Sequence, residues 1–292
     1  MSMKQVDIIL ISYNQEPFIR QAIRSIFMQR LPEDWKANII IADDCSQDKT
    51  LSIIREEEPN SPFPMFYLES SHNLGHPQNY KRAFAACQGD YVAILEGDDY
   101  WTDTLRLQKH ITFLEQHREA VLTMNDYYEY YQATGRFDDP HRGRPAIDYF
   151  TGQQTARGNV LGNLSACVIR NEVLQQLPSV IYDTDVDDWL LGLTLSDFGF
   201  LVVFGEKMSV YRLHPASQWS GLDRAKQIEI DMARADRYDR LTQGKYHAEF
   251  EFFKRLVQGK NVVPWRKRLS RCTPPIIKWI IKLIVPPVWY QK

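Results

Sequence analysis

The first hundred residues alternate between short apolar runs and segments with helical periodicity. Strands are predicted at Val6–Ser12, Asn38–Ala42, Phe66–Leu68 and Tyr91–Leu95. Helices are predicted between them, at Ile19–Phe27, Asp48–Glu58 and Gln78–Cys87. The strands are short and rich in β-branched residues, which is typical of strands buried on both faces of a parallel sheet. Such alternation predicts right-handed crossovers and ligand binding beyond the carboxyl ends of the strands.

The alternation becomes less regular after Asp99. The remaining predictions are a helix near Thr104–Gln116, a strand near Ala120–Met124, an aromatic, turn-rich stretch to Ile147, a strand at Ala166–Arg170, a helix at Asp187–Phe198, strands at Leu201–Phe204 and Lys207–Tyr211, and one or two surface helices in Arg224–Gln258. A chain of 292 residues can form one large α/β domain. We expect one domain followed by a tail.

Polar residues follow three of the early strands. Ser12-Tyr13-Asn14 comes after the first strand, Asp43-Asp44 after the second, and Glu96-Gly97-Asp98-Asp99 after the fourth. Because parallel strands end at the same edge of a sheet, we expect these loops to converge on one crevice.

The sequence Glu96-Gly97-Asp98-Asp99 places three carboxylates in four residues. A divalent cation would relieve their repulsion, and carboxylate oxygens suit Mg²⁺ or Mn²⁺, which can hold the two phosphates of a nucleotide. A solvated acidic turn explains the same four residues equally well. The pair Asp43-Asp44 has a similar double interpretation, because the residues after it can cap the next helix, whereas one carboxylate could bind a base or ribose.

A third acidic cluster, Asp183, Asp185, Asp187 and Asp188, lies at the start of the helix near Trp189. Helix capping needs only one of these carboxylates, and another could act as a general base for an acceptor hydroxyl. We expect Asp188 to be the best positioned, because it directly precedes the apolar run Trp189-Leu190-Leu191.

His214 ends a predicted strand in the sequence Tyr211-Arg212-Leu213-His214. A single histidine is commonly structural, but an imidazole can also bind a metal, and Arg212 could pair with phosphate. No GxxxxGK[ST] loop, GxGxxG turn, HExxH or GxSxG motif is present in the sequence. A phosphate site in this chain would therefore depend on a metal.

Several motifs in this order resemble the inverting family 2 glycosyltransferases of GT-A fold. The motifs are ISYNQEPFIRQAIRSIFMQ (Ile11–Gln29), IIIADDCSQDKT (Ile39–Thr50), HNLGHPQNYKRAFAACQGDYVAILEGDDYW (His72–Trp101), DDWLLGLTLSDFG (Asp187–Gly199) and YRLH (Tyr211–His214). The resemblance covers about residues 4–220. It implies an α/β fold with a mixed, mostly parallel sheet flanked by helices, followed by a helical C-terminal extension.

The resemblance also implies a set of site residues. Those expected to bind the nucleotide sugar are Ser12, Tyr13, Asn14, Glu16, Asp44, Asn73, Gly75, Glu96, Gly97, Asp98 and Arg212. Glu96-x-Asp98 resembles the DxD motif of the family, with Asp98 on the metal. His214 is a second expected ligand, and Asp99 is an additional candidate. The first acid is Glu instead of the usual Asp, which leaves the contact with the ribose or donor sugar open.

Asp188 matches the catalytic base of the family. It would deprotonate the acceptor hydroxyl for in-line attack on the anomeric carbon, while a bound Mn²⁺ or Mg²⁺ and His214 stabilise the departing nucleoside diphosphate. The loop at residues 72–80 would lie beside the donor. Tyr127–Phe150 and Gly158–Ser165 would line the acceptor side.

The last segment of the chain differs in composition from the rest. Residues 254–292 contain ten Lys or Arg and no acid, which leaves −12 on residues 1–253 from a total charge of −2. Ile276–Val285 is apolar apart from two lysines and is too short to span a bilayer, which needs about 20 residues. We expect this tail to lie at an anionic membrane surface; the alternative is a helix packed on the catalytic domain. Nucleic acid is not an expected partner.

The four cysteines, Cys45, Cys87, Cys167 and Cys272, are far apart, and the N-terminus lacks the pattern of a signal peptide. A cytoplasmic enzyme at the inner face of the membrane is therefore expected. The predicted organisation is a catalytic domain at residues 1–220 and a helical extension with a membrane-associating tail at 221–292.

The expected reaction is transfer of a sugar from a nucleotide sugar, with UDP as the favoured nucleotide, to a saccharide or lipid-linked saccharide in cell-surface polysaccharide synthesis. The alternatives are a non-catalytic module that binds sugar nucleotides and a sugar nucleotidyltransferase.

Overall fold

A computed structural model describes residues 3–184, 187–215, 219 and 222–259. Its strands are β1 Lys4–Ser12, β2 Trp35–Asp43, β3 Met65–Tyr67, β4 Tyr91–Glu96, β5 Tyr100–Trp101, β6 Ala120–Tyr131, β7 Arg136–Asp138, β8 Ile147–Phe150, β9 Cys167–Arg170 and β10 Phe200–Leu213. Its α-helices are α1 Ile19–Phe27, α2 Thr50–Glu57, α3 His76–Ala86, α4 Arg106–Gln116, α5 Gly152–Ala156, α6 Asn171–Leu174, α7 Asp188–Leu195, α8 Arg224–Leu241 and α9 His247–Val257. The basic tail predicted to meet a membrane, residues 260–292, lies outside the described residues, as does Asp185.

The strands form one mixed sheet with the order β3-β2-β1-β4-β9-β6-β10-β5. Strands β1, β2, β3 and β4 pair in parallel, and β6 pairs in parallel with β10. Strand β9 lies antiparallel between β4 and β6, while β7 and β8 add short antiparallel edges. The expectation of a mixed, mostly parallel sheet is therefore confirmed.

The central strands are covered on both faces, as their apolar sequences predict. Ile8 and Leu10 of β1 pack in one cluster with α1, α2 and α4. Ile9 and Ile11 point to the opposite face and pack in a second cluster with α3, α7, α8 and α9. Every residue from Val6 to Ser12 is buried, so the polar groups at the end of β1 begin where this double cover stops.

The helical C-terminal extension is present and belongs to the same core as the sheet. Ala235 and Tyr238 of α8, with Phe250 and Phe253 of α9, are buried in the cluster that contains α7. The ring of Trp189 on α7 contacts Tyr238, Phe250 and Phe253, with centroids 5.4, 6.0 and 4.6 Å away. Helices α8 and α9 therefore stabilise the start of α7 and do not form a separate core.

Two strands predicted in the second half of the chain, Leu201–Phe204 and Lys207–Tyr211, are one strand, β10. The polar sequence Gly205-Glu206-Lys207 looks like a break, but in the structure it is an irregular stretch where β10 carries more residues than β6. Lys207 lies there with its Nζ 3.1 Å from Oδ2 of the buried Asp126. Strand β6 likewise extends to Tyr131, because β10 and β7 pair with its aromatic end.

Gly205 is required by its surroundings: a Cβ there would lie 2.2 Å from the carbonyl oxygen of Pro145. We expect Gly205→Ala to lower the free energy of unfolding by about 1–3 kcal/mol, because backbone atoms must move to make room. The exposed neighbour Glu206 provides the control, since Glu206→Ala should change stability by less than about 0.5 kcal/mol. Urea denaturation of both variants measures the difference, and equal midpoints would contradict the steric argument.

Candidate active site

The three polar loops predicted to converge do lie together. Strand β1 has β2 on one side and β4 on the other, so their carboxyl ends meet. The backbone N–H of Asp44 donates to the carbonyl of Ser12 at 2.9 Å, and that of Gly97 donates to the carbonyl of Ile11 at 2.8 Å. The crevice is therefore built on the backbone of adjacent parallel strands.

The first two loops are joined by side-chain hydrogen bonds. Ser12 Oγ donates to Asp43 Oδ2 at 2.8 Å, and the Ser46 hydroxyl donates to the same carboxylate. Asn14, with a positive φ of 52°, accepts from the backbone N–H of Gln47 through its side chain. Ser12 and Asn14 thus hold the two loops together. Tyr13 is 44% exposed at the rim of the crevice.

Glu16 joins the same loops at their outer side. Its carboxylate accepts from the backbone N–H of Lys49, whose Nζ lies 3.7 Å away, and its own N–H donates to Asp48. The carboxylate of Asp48 also accepts from Thr50, which fixes the start of α2. These bonds pin the loop from Ser12 to Glu16 against the second loop from both ends.

Asp44 is buried and organises a further loop. Its two carboxylate oxygens accept from the backbone N–H groups of Leu74 and Gly75, at 2.8 and 2.9 Å. Gly75 has a φ of 82°, a region that favours glycine, and its N–H also donates to the side chain of Asn73. Asp44, Asn73 and Gly75 therefore set the path of the chain into α3.

Asp98 and His214 come from distant parts of the sequence and meet in the crevice. His214 Nε2 lies 3.1 Å from Asp98 Oδ2, and the imidazole packs on the ring of Phe18 with a centroid distance of 4.7 Å. Phe18 belongs to the segment just before α1, so elements at β1, β4 and β10 all contribute to this point. A carboxylate and an imidazole at this distance could bind one cation.

Asp99 points away from Asp98 into the protein. Its carboxylate accepts from the Asn163 side chain and from the backbone N–H of Arg212, both at 2.9 Å. Only 1% of Asp99 is exposed. Burial raises the pKa of Asp99 well above its usual range, and the charges of Asp98 and Glu96 raise it further. The geometry joins Asp99 to β10 and not to the opening of the crevice.

Arg212 is buried, and its guanidinium is surrounded by acceptors and aromatic rings. Nε donates to the carbonyl of Asp98, and the two Nη atoms donate to Gln132 and Gln21, each at 2.7 Å. The rings around it belong to Phe18, Tyr100 and Tyr130, with centroids 4.9 to 5.5 Å away. This arrangement connects β10 to the backbone that carries Asp98.

Glu96 lies on the side of the crevice next to α3. Tyr80 donates its hydroxyl proton to Glu96 Oε1 at 2.9 Å, and His76 Nε2 lies 3.7 Å from the same oxygen. Gly97 follows without a side chain, and a Cβ there would meet Gln15 and Ile19 at less than 3 Å. A larger residue at position 97 would therefore displace the ends of the Gln15 and Ile19 side chains.

Asp187 and Asp188 lie at the start of α7 and have different partners. Asp187 is the N-cap: its Oδ1 accepts from the N–H of Leu190 at 2.7 Å. Asp188 is half-buried, and its carboxylate accepts hydrogen bonds from the Trp189 N–H and the Asn159 side chain. Capping therefore occupies Asp187, whereas Asp188 lies within range of the charge of Glu96.

The surroundings of Asp188 favour a proton acceptor that works near neutral pH. Burial, the neighbouring charge of Asp187 and the charge of Glu96 raise the pKa of Asp188 to about 6, against the opposing effects of Asn159 and Arg234. Burial likewise raises the pKa of Tyr211, with contributions from Asp99, Glu96 and Asp188. These shared interactions connect the carboxylates after β4 with the carboxylate at α7.

A groove of about 510 Å³ opens beside α3 and α8. Its lining residues are Leu74, Pro77, Gln78, Tyr182, Asp183, Thr184 and Arg237. The groove begins at the loop that Asp44 holds and ends close to the start of α7. It offers space for a small ligand between the first half of the chain and the C-terminal helices.

Several site residues gave no recognisable signal in the sequence. His76 and Tyr80 contact Glu96 from one turn of α3, and Arg234 and Tyr238 contact Asp187 from α8. The i, i+4 spacing of both pairs indicates that their side chains share a helix face, but it does not indicate which carboxylate that face contacts. Only the packing of α3 and α8 against the sheet identifies them.

The family is decided by a direct match. The sequence profile of the family described as "Glycosyl transferase family 2" matches residues 7–177, which is more than half of the chain. The chain belongs to glycosyltransferase family 2. The matched segment contains the loops after β1, β2 and β4, whereas Asp188, His214 and the C-terminal helices lie beyond it.

Curated relatives align over most of the chain. An uncharacterized protein of Mycobacterium tuberculosis is 30% identical over 214 residues, which are 73% of this chain and 60% of that protein. The putative teichuronic acid biosynthesis glycosyltransferase TuaG of Bacillus subtilis is 28% identical over 211 residues, covering 71% of this chain and 79% of TuaG. The chain thus spans about 60% of the length of its mycobacterial relative.

Solved structures share the fold. The S. aureus TarS fragment 1–349 in complex with UDP-GlcNAc has a TM-score of 0.62 at 14% identity, covering 94% of this chain and 77% of the fragment. The mannosyltransferase PcManGT of Pyrobaculum calidifontis, in complex with GDP-Man and Mn²⁺, has a TM-score of 0.59 at 14% identity, covering 94% and 78%. These TM-scores to solved glycosyltransferases confirm the GT-A fold that the sequence motifs predict.

The three hydrogen bonds of the Arg212 guanidinium predict that this residue positions the Asp98 backbone and does not bind phosphate directly. We expect Arg212→Lys to lower the free energy of unfolding by about 2–3 kcal/mol, because a lysine cannot satisfy the three acceptors that the guanidinium reaches. The same change at the exposed Arg118 serves as the control. Unchanged stability together with weaker nucleotide binding would instead support contact with phosphate.

Proposed function

We propose that this chain is an inverting, metal-dependent glycosyltransferase that transfers a sugar from a nucleotide sugar to a saccharide acceptor. The observation that supports it most is that Asp98 meets His214 in the crevice, where the charge of Glu96 also acts on Asp188. The proposal needs a diphosphate-binding end and a proton-accepting end in one site. Membership of glycosyltransferase family 2 supports the same reaction class.

The residues fit a divalent ion such as Mn²⁺ or Mg²⁺. Asp98 and His214 would hold it, and Asp99 is less suited because its carboxylate is committed to Asn163 and Arg212. Among the described residues no group of three His, Cys, Asp or Glu side chains is arranged around a metal. Two protein ligands agree with an ion that keeps positions for diphosphate oxygens. When bound, it would neutralise charge on the leaving diphosphate.

The protein residues would bind the donor, accept the proton of the acceptor and position the Asp98 backbone. The nucleotide would lie against Tyr13 and the joined loops after β1 and β2, with Glu96 facing the ribose or the donor sugar. Asp188 would accept the proton of the acceptor hydroxyl. The hydroxyl oxygen then bonds to the anomeric carbon as the bond from that carbon to the diphosphate oxygen breaks. We assign Arg212 to positioning, because its contacts hold the Asp98 backbone.

UDP is the proposed nucleotide, and the acceptor is a saccharide or lipid-linked saccharide of the cell surface. The complex of TarS with UDP-GlcNAc supports the first assignment, and the name of TuaG, which refers to teichuronic acid biosynthesis, supports the second. Because PcManGT was solved with GDP-Man, GDP sugars are the donors to compare with UDP sugars in a binding test. No helix among the described residues is long and apolar enough to cross a bilayer.

The donor assignment predicts metal-dependent binding. We expect a UDP-sugar with Mn²⁺ to raise the melting temperature of the parent protein, because a ligand that binds only the native state stabilises it. Asp98→Asn should abolish that rise, whereas Asp34→Asn, an exposed change at the opposite end of β2, should retain it. A rise that is independent of Mn²⁺ and survives in Asp98→Asn would contradict the metal site. Stabilisation by GDP sugars alone would overturn the choice of UDP.

The base assignment predicts a separation of binding from transfer. We expect Asp188→Asn to reduce transfer by at least about 10³-fold while donor binding persists, because the amide cannot accept the proton. In the parent, kcat should fall as the pH drops below about 6, where Asp188 becomes protonated. Transfer assays with purified acceptors check both points, and Asp34→Asn is again the control. Parental turnover by Asp188→Asn would remove this base.

The membrane proposal concerns residues 260–292, with a basic and apolar composition that suits an anionic lipid surface. We expect the full chain to sediment with vesicles rich in phosphatidylglycerol, and a chain ending at Gly259 to remain in the supernatant. Vesicles of phosphatidylcholine alone are the control. Equal sedimentation of both chains would show that the tail is not the anchor.

A further inference from the structure

Asp187, the residue before the proposed base, is held by one ion pair and one hydrogen bond from the C-terminal extension. Its Oδ2 lies 2.8 Å from Nε of Arg234, and Tyr238 donates its hydroxyl proton to the same oxygen at 2.7 Å. Oδ1 of Asp187 is already used to cap α7. Both oxygens of this carboxylate are therefore occupied, one by α7 and the other by α8.

The contacts from α8 are partly or fully buried and sit on a packed support. Tyr238 is fully buried, and its ring lies edge-on against Trp189. Trp189 follows Asp188 directly, and its Nε1 donates to the carbonyl of Thr155 at 2.7 Å. The residues on both sides of Asp188 are thus fixed by partners outside α7. Since a side chain follows its backbone, these partners determine where the Asp188 carboxylate points.

Arg234 also contacts Trp219, five residues after His214. Its guanidinium lies over the ring of Trp219, 4.9 Å from the centroid, and Gln227 of the same helix donates to the Trp219 carbonyl at 3.4 Å. One side chain therefore contacts both the residue beside the proposed base and the chain just beyond a proposed metal ligand. Helix α8 lies outside the segment matched by the family profile.

We propose that Arg234 is a positioning residue for glycosyl transfer, which holds Asp187 and Trp219 and thereby sets the orientation and charge environment of Asp188. This inference rests on the proposed function, because it takes Asp188 as the base. The proposal assigns Arg234 no contact with donor or acceptor. Arg234 acts through its ion pair with Asp187 and through its positive charge, and Tyr238 assists it by donating to the same carboxylate oxygen.

The charge of Arg234 has a defined effect on Asp188. It lowers the pKa of Asp188 against the larger effects of burial and Asp187, which raise it. Among the residues that the structure describes, the charged and titratable groups that interact with Asp188 include Asp187, Arg234, Glu96, Tyr127, Cys167, Tyr211 and Tyr238. Arg234 is the cation of this set. Asp231, with a pKa raised to about 6 by burial, also faces Arg234, at 4.0 Å.

Removing the cation should make Asp188 harder to ionise. In the full-length chain, we expect Arg234→Met to move the acidic limb of the kcat–pH profile up by about one pH unit, which is about a fivefold loss of kcat at pH 6. The donor KM should stay within about twofold, because the diphosphate-binding end is unchanged. Arg234→Lys, which retains a positive charge, should keep the limb close to its parental pH.

The matched control is Arg240→Met, the same change on the exposed face of the same helix. Its profile should equal that of the parent. An unmoved acidic limb in Arg234→Met would overturn the inference, as would an identical shift in Arg240→Met. If Arg234→Met shows no cooperative melting, Arg234→Lys and Tyr238→Phe decide instead: a lower kcat at unchanged donor KM in Tyr238→Phe supports positioning, and parental kcat in both contradicts it.

The two proposals fail in different ways. Full activity of Asp188→Asn would remove the base itself, and with it the reason for Arg234 to act. An inactive Asp188→Asn together with a parental pH profile in Arg234→Met would keep the base and remove only the role of Arg234. Tyr238→Phe keeps the ring that packs on Trp189, so its effect reports the hydrogen bond and not the packing.

Discussion

The concentration of negative charge around one crevice is the constraint on which the site depends. Asp99 interacts with the charges of Asp98 and Glu96, and Glu96 also interacts with Asp188. Unbalanced carboxylates at this density cost free energy, and each has a specific partner in the structure. Asp99 is buried against Asn163 and Arg212, while Asp98 meets His214, so protein groups balance part of the charge. We propose that a cation and a diphosphate complete the balance.

The C-terminal helices contribute to the site as well as to the core. Tyr238, Phe250 and Phe253 surround Trp189, and Arg234 holds Asp187, so the start of α7 is fixed from the extension. The family profile ends at residue 177, before all of these contacts. The matched segment contains the loops after β1, β2 and β4, whereas Asp188 and the helices that hold its neighbours lie beyond it.

The sequence predicted the first half of the fold well because its signals are local. Strands β1, β2 and β4 are short apolar runs covered on both faces, and α1 carries a single apolar stripe that packs on the sheet. The later part was harder to predict. The end of β6 is rich in tyrosine and β10 is interrupted by Gly205, so neither shows strand periodicity along its full length. Their pairing with each other, a long-range interaction, makes them strands.

The residues themselves determined which chemistry is available: carboxylates after three strand ends, the acidic start of α7, and a histidine after β10 are all visible in the printed sequence. Tertiary structure decided how these groups are used. It brings Asp98 to His214, buries Asp99 and assigns capping to Asp187, while Asp188 lies within range of the Glu96 charge. The reason is physical, since adjacent carboxylates have the same local signal, and only burial and distant partners such as Arg212 and Arg234 make them differ.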